Sequence, residues 1–318
     1  MKILGIVVPC YNEQEVLNKT NEILLNKLLL LIKSKKISSK SFILYVDDGS
    51  KDNTLSIIKD LYDHNDHISY ISLGTNRGHQ NALYAGLIYI KDMIDISISI
   101  DADLQDDICA IDDMIDNYYK GYDIVLGVRD NRESDSLFKR LTAQLFYRLM
   151  NLLGANTIYN HADYRLLSAD CLKELDLYQE SHLFLRGIIS ILSYNRTVVY
   201  YKRNKRFAGV SKYPLKKMLS FAYNGITSFS IKPLTIILYL GLCTIFICII
   251  FVIYSLYRHF SGATIDGWTS TFISIWFIGG VQLSSLGIIG SYIGKNFMES
   301  KKRPRFYIVE CMKAKNYK

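Results

Sequence analysis

The chain has 318 residues, 49% of them hydrophobic, and its 38 Lys and Arg against 30 Asp and Glu give a net charge of +8. This is too apolar for a disordered chain and too charged for a bundle of membrane helices alone, and four prolines exclude a proline-rich segment. The six cysteines, at 10, 109, 171, 243, 248 and 311, form no Cys-x-x-Cys pair, which argues against a disulfide framework or a zinc site and fits a reducing compartment.

The first apolar run, residues 3–8, predicts a strand and is too short for a secretory signal. It leads into Pro9-Cys10-Tyr11-Asn12-Glu13, where a dinucleotide-binding fold would carry Gly-x-Gly-x-x-Gly. NAD and FAD are therefore disfavoured, and the segment offers an aromatic face and a carboxylate instead. A helix over 15–34 and a strand over 42–46 follow. The second strand runs into Asp47-Asp48-Gly49-Ser50-Lys51-Asp52-Asn53-Thr54. Gly49 suits a turn and Asp52 an N-cap for a helix over 54–63, but capping does not explain Asp47 and Asp48. A carboxylate at this strand tip can accept the imide N–H of a uracil or the amine of a guanine.

A third strand over 68–73 precedes Asn76-Arg77-Gly78-His79-Gln80-Asn81-Ala82, which opens a helix over 80–91. Gly78 lets backbone approach a ligand, and a helix N-terminus favours anions. His79 is expected to fix this loop rather than to act as a base. The fourth strand, over 96–100, ends in the most specific signal, Asp101-Ala102-Asp103-Leu104-Gln105-Asp106-Asp107. A spacing of two puts Asp101, Asp103 and Gln105 on one side if the extended path continues. Their hard oxygen donors select Mg²⁺ or Mn²⁺, ions that bind through one or two carboxylates plus a substrate diphosphate.

A helix over 110–119, a strand over 123–128 and a helix over 136–153 continue the alternation. Such alternation predicts a mostly parallel sheet covered on both faces, with ligands beyond the carboxyl ends of its strands.

Charge divides the rest of the chain. Residues 1–200 carry −6, residues 201–232 carry +8 with no acid, residues 233–294 are neutral, and residues 295–318 carry +6. A nucleic-acid binder would hold its positive charge on the folded domain, so nucleic acid is not an expected partner. Positive charge flanking apolar runs is instead the pattern of juxtamembrane segments. About 25 residues between Lys232 and Arg258, and about 28 between Asp266 and Lys295, carry no charge, each enough to cross a bilayer as helix. The basic outer flanks put both ends of the chain in the cytoplasm of a multi-pass inner-membrane protein. Helices over 136–153 and 212–229 are amphipathic; they either pack on the sheet or lie at the bilayer surface, and the charge favours the surface.

Taken together, Val7-Val8-Pro9-Cys10-Tyr11-Asn12-Glu13, Asp47-Asp48-Gly49-Ser50, Arg77-Gly78-His79-Gln80-Asn81, Asp101-Ala102-Asp103-Leu104-Gln105 and Arg206-Phe207-Ala208-Gly209-Val210-Ser211-Lys212 resemble family 2 glycosyltransferases of the GT-A fold. Within that family the chain is similar to the polyprenyl-phosphate branch. The resemblance implies a cytoplasmic GT-A domain over 1–210 and a juxtamembrane helix over 211–231. It further implies membrane helices over 232–258 and 267–294, and a basic tail over 295–318.

It also implies roles. Pro9, Tyr11, Glu13 and Asp48 would contact the nucleoside of a UDP- or GDP-sugar, with Gly78 beside it. Asp101, Ala102 and Asp103 would hold the diphosphate and metal, Gln105 completing the metal shell. Arg206 and Lys212 would close over the diphosphate, Arg129 and Arg140 would receive a lipid phosphate, Asp163 would face the acceptor, and Glu180 would touch the sugar. The expected reaction inverts the sugar carbon in one displacement, most specifically moving glucose from UDP-glucose onto undecaprenyl phosphate, in a homo-oligomer. A glycolipid or polysaccharide acceptor is the alternative; a non-catalytic membrane scaffold is the second. Neither Trp lies in the Gln-x-x-Arg-Trp motif of processive synthases, which disfavours chain elongation.

Overall fold

Runs of Ile, Val and Leu too short for helices become the central strands, each buried on both faces. The computed structural model describes residues 1–129, 161–180, 184–202, 232–260 and 268–317, which divide into two units. The first is a sheet unit in which β1 (Leu4–Cys10), β2 (Phe42–Asp47), β3 (Ile68–Ser72) and β4 (Ile96–Ser99) are entirely buried. At roughly 1.5–3 kcal/mol for each fully buried large aliphatic side chain, these strands supply much of the driving force for folding.

Between them run α1 (Leu17–Lys33), α2 (Thr54–His64) and α3 (His79–Ile90). After β4 come α4 (Ala110–Tyr119), β5 (Ile124–Arg129), β6 (His161–Ser168), α5 (Ala169–Asp176), α6 (Leu185–Ile191), β7 (Arg196–Tyr201) and, near the chain end, β8 (Glu310–Met312). The eight strands form one sheet in the order β7-β5-β6-β4-β1-β2-β3-β8. β1 is parallel to both β2 and β4, with Pro9 opposite Val46 and Val7 opposite Ser99. The chain steps outward from β1 to β3, then returns to the other side of β1 for β4. This reversal opens a crevice at the carboxyl ends of β1 and β4, where ligands of such sheets bind.

As expected, the sheet is mostly parallel, with β6 antiparallel between β4 and β5 and β8 antiparallel to β3. From Pro304 the basic tail packs on the sheet unit, where Val309 N–H donates to the Ser72 carbonyl, and the Glu310 carboxylate accepts from Tyr70 Oη at 2.7 Å and pairs with Lys59. Unpaired edge N–H and C=O groups of β3 provide the physical reason, since an edge strand accepts another strand readily.

The turn after β2 depends on Gly49, which has φ +65°; a Cβ built there would lie 2.6 Å from backbone of Thr75. Gly49→Ala is therefore expected to destabilise the sheet unit by about 1–3 kcal/mol, read as a lower thermal midpoint. An unchanged midpoint would show that residues 74–76 move aside without cost.

The second unit contains α7 (Lys232–Phe260) and α8 (Trp268–Ser300). Among the described residues one stretch, Phe277–Ser300, is long and apolar enough to cross a membrane, and none of it is buried inside the protein. In α7 the apolar stretch found among the described residues is Leu234–Thr244. Large apolar side chains stand exposed on both helices, including Leu238, Tyr239 and Phe246 on α7 and Phe277, Leu283 and Leu286 on α8. The helices line a cavity of about 820 Å³ with Ile237, Gly241, Thr244, Val281 and Leu286.

Candidate functional site

The loops at the carboxyl ends of β1 and β2 are stitched together by side chains. Asn12 N–H donates to Ser50 Oγ, Lys51 N–H to Asn12 Oδ1, and Glu13 N–H to Thr54 Oγ1, all within 3.1 Å. Asn12 adopts φ +54°, a conformation Asn tolerates because its short polar side chain bonds locally. Pro9 is buried within β1, while Tyr11 and Glu13 are partly exposed beyond it. The N-cap of α2 is Asn53, without a side-chain cap bond, rather than the expected Asp52, which instead accepts from Thr54 N–H at 3.0 Å and from Gln14 N–H across the two loops.

The tandem carboxylates prove to be structural in part. Asp47 accepts from Ser50 N–H and Ser72 Oγ, closing its own turn onto β3. Asp48 is buried, and its two oxygens accept from Arg77 N–H at 2.6 Å and Gly78 N–H at 2.9 Å. Burial pushes its carboxyl up, while these two amides and the His79 charge oppose the shift and Asp47 adds to it. Both Asp48 and Gly78 were expected at the nucleoside. In the structure they satisfy one another, so a nucleoside edge must share the carboxylate's remaining lone pairs.

That arrangement fixes the start of α3 and aims His79 inward. His79 Nε2 lies 3.6 Å from Asp101 Oδ1 and 3.4 Å from Asp163 Oδ2. Burial disfavours its charge, but the bond to Asp163 and the charge of Asp101 outweigh burial and push the imidazole up to about 9. A His raised in the folded state adds stability that is full below its unfolded value near 6.5 and is lost as pH rises through the folded value. In nucleotide-free protein the His79 ring is therefore expected to titrate by NMR near pH 9, and stability should decline between about pH 6.5 and 9. A midpoint near 6.5 would contradict the ion cluster, and His79→Gln should flatten the decline.

Asp101 sits just past β4, and Leu104 turns the chain with φ +57°. The extended path expected through Asp101, Asp103 and Gln105 is thus broken: the acids lie on a tight loop, where Asp103 Oδ1 accepts from Gln105 N–H at 3.2 Å. The loop is pinned from α1, whose Thr20 Oγ1 donates to the Ala102 carbonyl at 2.6 Å. Burial pushes the Asp101 carboxyl up, His79 pulls it back, and the charges of Asp106, Asp163 and Asp103 push it up again. A cation would relieve that repulsion, and all the donors are hard oxygens, so the residues fit Mg²⁺ or Mn²⁺. Among the described residues no three His, Cys, Asp or Glu side chains form a cage.

Asp163, on β6, is the most heavily constrained acid. It pairs with Arg165 Nη2, and Arg186 grips it in a two-point fork at 3.2 and 3.1 Å. Burial would raise its pKa, but Arg186, Arg165 and His79 hold the carboxyl well below the usual range. Arg165 is wholly buried, and its Nε and Nη1 have no hydrogen-bond partner. Arg165 and Arg186 are absent from the sequence-derived site. The first lies on β6, a strand that the apolar pattern does not mark, and the second lies 23 residues from Asp163 on a helix of seven.

Arg129, expected at the lipid phosphate, is partly committed elsewhere. Its Nη2 lies 3.3 Å from Asp106 Oδ1, and Tyr201 Oη bonds the same oxygen at 2.6 Å. Its side chain keeps 28% of its exposure, so one face remains open. Glu180 lies in an irregular segment after α5. Arg140, Arg206, Lys212 and the two amphipathic helices over 136–153 and 212–229 lie outside the described residues.

The sequence profile of glycosyl transferase family 2 matches residues 5–176, spanning β1 through α5 and every acidic motif above. A protein of Bacillus subtilis (strain 168) named uncharacterized glycosyltransferase YkoT is 50% identical over 96% of this chain and 91% of its own length. Bactoprenol glucosyl transferase of Shigella phage SfX is 37% identical over 97% of this chain and 99% of its own. A solved structure of glucosyl-3-phosphoglycerate synthase from Mycobacterium tuberculosis, with Mn²⁺, UDP and phosphoglyceric acid, aligns over 71% of this chain and 76% of that one at 15% identity and a TM-score of 0.44.

Proposed function

We propose a lipid-linked acceptor for this chain, which belongs to glycosyl transferase family 2 and is a glycosyltransferase. It moves a hexose, glucose from UDP-glucose in the specific form, onto the phosphate of a polyprenyl carrier such as undecaprenyl phosphate. The observation that carries this reading is the state of Asp163. A sugar hydroxyl acceptor needs a base, but an acid paired with two guanidinium groups and an imidazolium is a poor one. A phosphate monoester needs none, because with a second pKa near 6 it is largely a dianion at neutral pH. The near full-length likeness to proteins named bactoprenol glucosyl transferase supports the same acceptor.

In this account Asp163 holds Arg186 and His79 in place, and the cationic cluster orients the incoming phosphate. Tyr11 and Glu13 face the nucleoside from the β1 loop, and Asp48 keeps the 77–78 turn beside it. Pro9, buried in β1, supports that loop, and Arg129 offers its open face to the acceptor. A divalent cation bound at Asp103, with Asp101 and Gln105, would neutralise charge developing on the departing nucleoside diphosphate, a form of electrostatic stabilisation that is often the largest catalytic contribution. The family resemblance assigns Arg206 and Lys212 to the same leaving group.

The chain's path supports a membrane hairpin. β8, which follows α8, pairs with β3 of the same sheet that precedes α7, so the chain must return to the side it left. Passages therefore come in pairs, and the exposed apolar faces of α7 and α8 fit two of them, with both termini cytoplasmic.

Membranes containing the full chain are to be incubated with undecaprenyl phosphate and, separately, labelled UDP-glucose, GDP-mannose and UDP-N-acetylglucosamine. The expected outcome is one labelled lipid that releases its sugar in mild acid, formed best from UDP-glucose. Label appearing only in glycolipid or polymer would overturn the acceptor assignment.

A further inference from the structure

From Pro304 the chain belongs to the sheet unit and runs as a strap along its edge. Arg305 stacks over the Tyr84 ring at 4.5 Å and donates to the Tyr178 carbonyl, and Phe306 meets Tyr84 edge-on at 6.2 Å. At the other end Lys315 Nζ donates to the Asp63 carbonyl, and Asn316 Nδ2 bonds the Ser39 and Ser41 carbonyls. A tail that served only to neutralise lipid charge would not be bonded to one domain at both ends of residues 305–316.

The centre of the strap touches the loop that leads to the site. Val309 N–H donates to the Ser72 carbonyl at 2.9 Å, and its Cγ2 lies 2.6 Å from where a Cβ on Gly74 would stand. The next residue, Thr75, has its backbone against Gly49, and Asp48 holds Arg77 and Gly78 through their amides. Gly78 begins the helix that aims His79 at Asp101 and Asp163. The contacts are continuous from Val309 to the acidic loop.

We infer that the C-terminal strap is a positioning element of the donor site: Val309 and Glu310 set residues 73–78, and through them the affinity for the nucleoside diphosphate. This rests on the proposed nucleotide-sugar reading of the site. Neither residue touches substrate; both act through the 73–78 loop. Three residues separate the end of α8 from the start of the strap, so the membrane hairpin and the donor loop share one short covalent connection.

The test uses the full chain in detergent or nanodiscs, with UDP and GDP titrated in the presence of Mn²⁺, and donor and lipid KM measured separately. Val309→Pro removes the N–H that holds Ser72; Val309→Ala keeps it. Glu310→Lys places a cation beside Lys59 and removes the acceptor for Tyr70, whereas Glu310→Gln keeps an acceptor. For Val309→Pro and Glu310→Lys, nucleotide Kd and donor KM are expected to rise about fivefold, the equivalent of roughly one net hydrogen bond. Turnover at saturating donor and the lipid KM should stay within about twofold, and the conservative variants should match wild type.

A lower thermal midpoint with unchanged nucleotide Kd and donor KM would overturn the inference, leaving the strap as a staple. So would equal changes in both KM values. Should Val309→Pro fail to fold, the Glu310 pair decides the question alone. Binding of neither nucleotide by the wild type would instead sink the nucleotide reading itself.

Discussion

Replacing Asp163 with alanine is expected to cost about 3–5 kcal/mol of folding stability and to abolish transfer, because Arg165 would be left as an uncompensated buried charge. The guanidinium of Arg165 is fully enclosed in the sheet, paired with Asp163 and with two of its nitrogens already unbonded. Asp163→Asn is the informative companion. The amide keeps the shape and one acceptor oxygen but loses the charge, so Arg186 and His79 lose their shared anchor. Turnover should then fall about 10²-fold through misplacement rather than vanish. The imidazole of His79 should also titrate lower, since the bond to Asp163 is the largest contribution raising it. Complete loss of turnover in Asp163→Asn, with folding and nucleotide binding intact, would instead make this residue the base.

Asp101→Ala and Asp103→Ala are expected to lower turnover by about 10³-fold or more, the scale lost when electrostatic support for a leaving group is removed. The two should differ in their effect on the apo protein. Asp101 is the group that burial and three neighbouring carboxylates push up, so its removal should relieve strain and leave stability unchanged or higher. Asp103 lies on the Leu104 turn and accepts from Gln105 N–H, so its removal should loosen the loop as well as the chemistry. Equal thermal shifts in the two variants, or retained turnover in either, would argue against this division.

The parallel half of the sheet was legible because its strands are buried on both faces and punctuated by polar tips. β1, β2, β3, β4 and β5 all form within two residues of their expected bounds, and α4 matches at both ends. β6 was not legible. It carries Arg165 at a fully buried position, which breaks the apolar alternation that marks a strand, and its antiparallel direction depends on β4 and β5 rather than on its own residues. α5 did leave a signal, since Ser168 caps it by accepting from Cys171 N–H. β8 spans three residues and exists only because β3 offers an open edge.

The site divides in the same way. Composition and spacing located the acids, but not how they are spent. Asp47 and Asp48 share one sequence motif, yet one closes its own turn and the other holds two amides of the next loop. Asp163 was marked by resemblance alone, and its character comes from Arg165 on its own strand and Arg186 on α6. The pairing with Arg186 is set by packing between separate elements and has no period in the sequence.

The role of the divalent ion is tested by sugar transfer with the purified full chain, stripped of divalent ions by chelator and then titrated with Mn²⁺ or Mg²⁺. Labelled polyprenyl-phosphate sugar is expected to disappear on stripping, to return with either ion in wild type, and not to return in Asp103→Ala. Undiminished product in the stripped wild type would contradict that role.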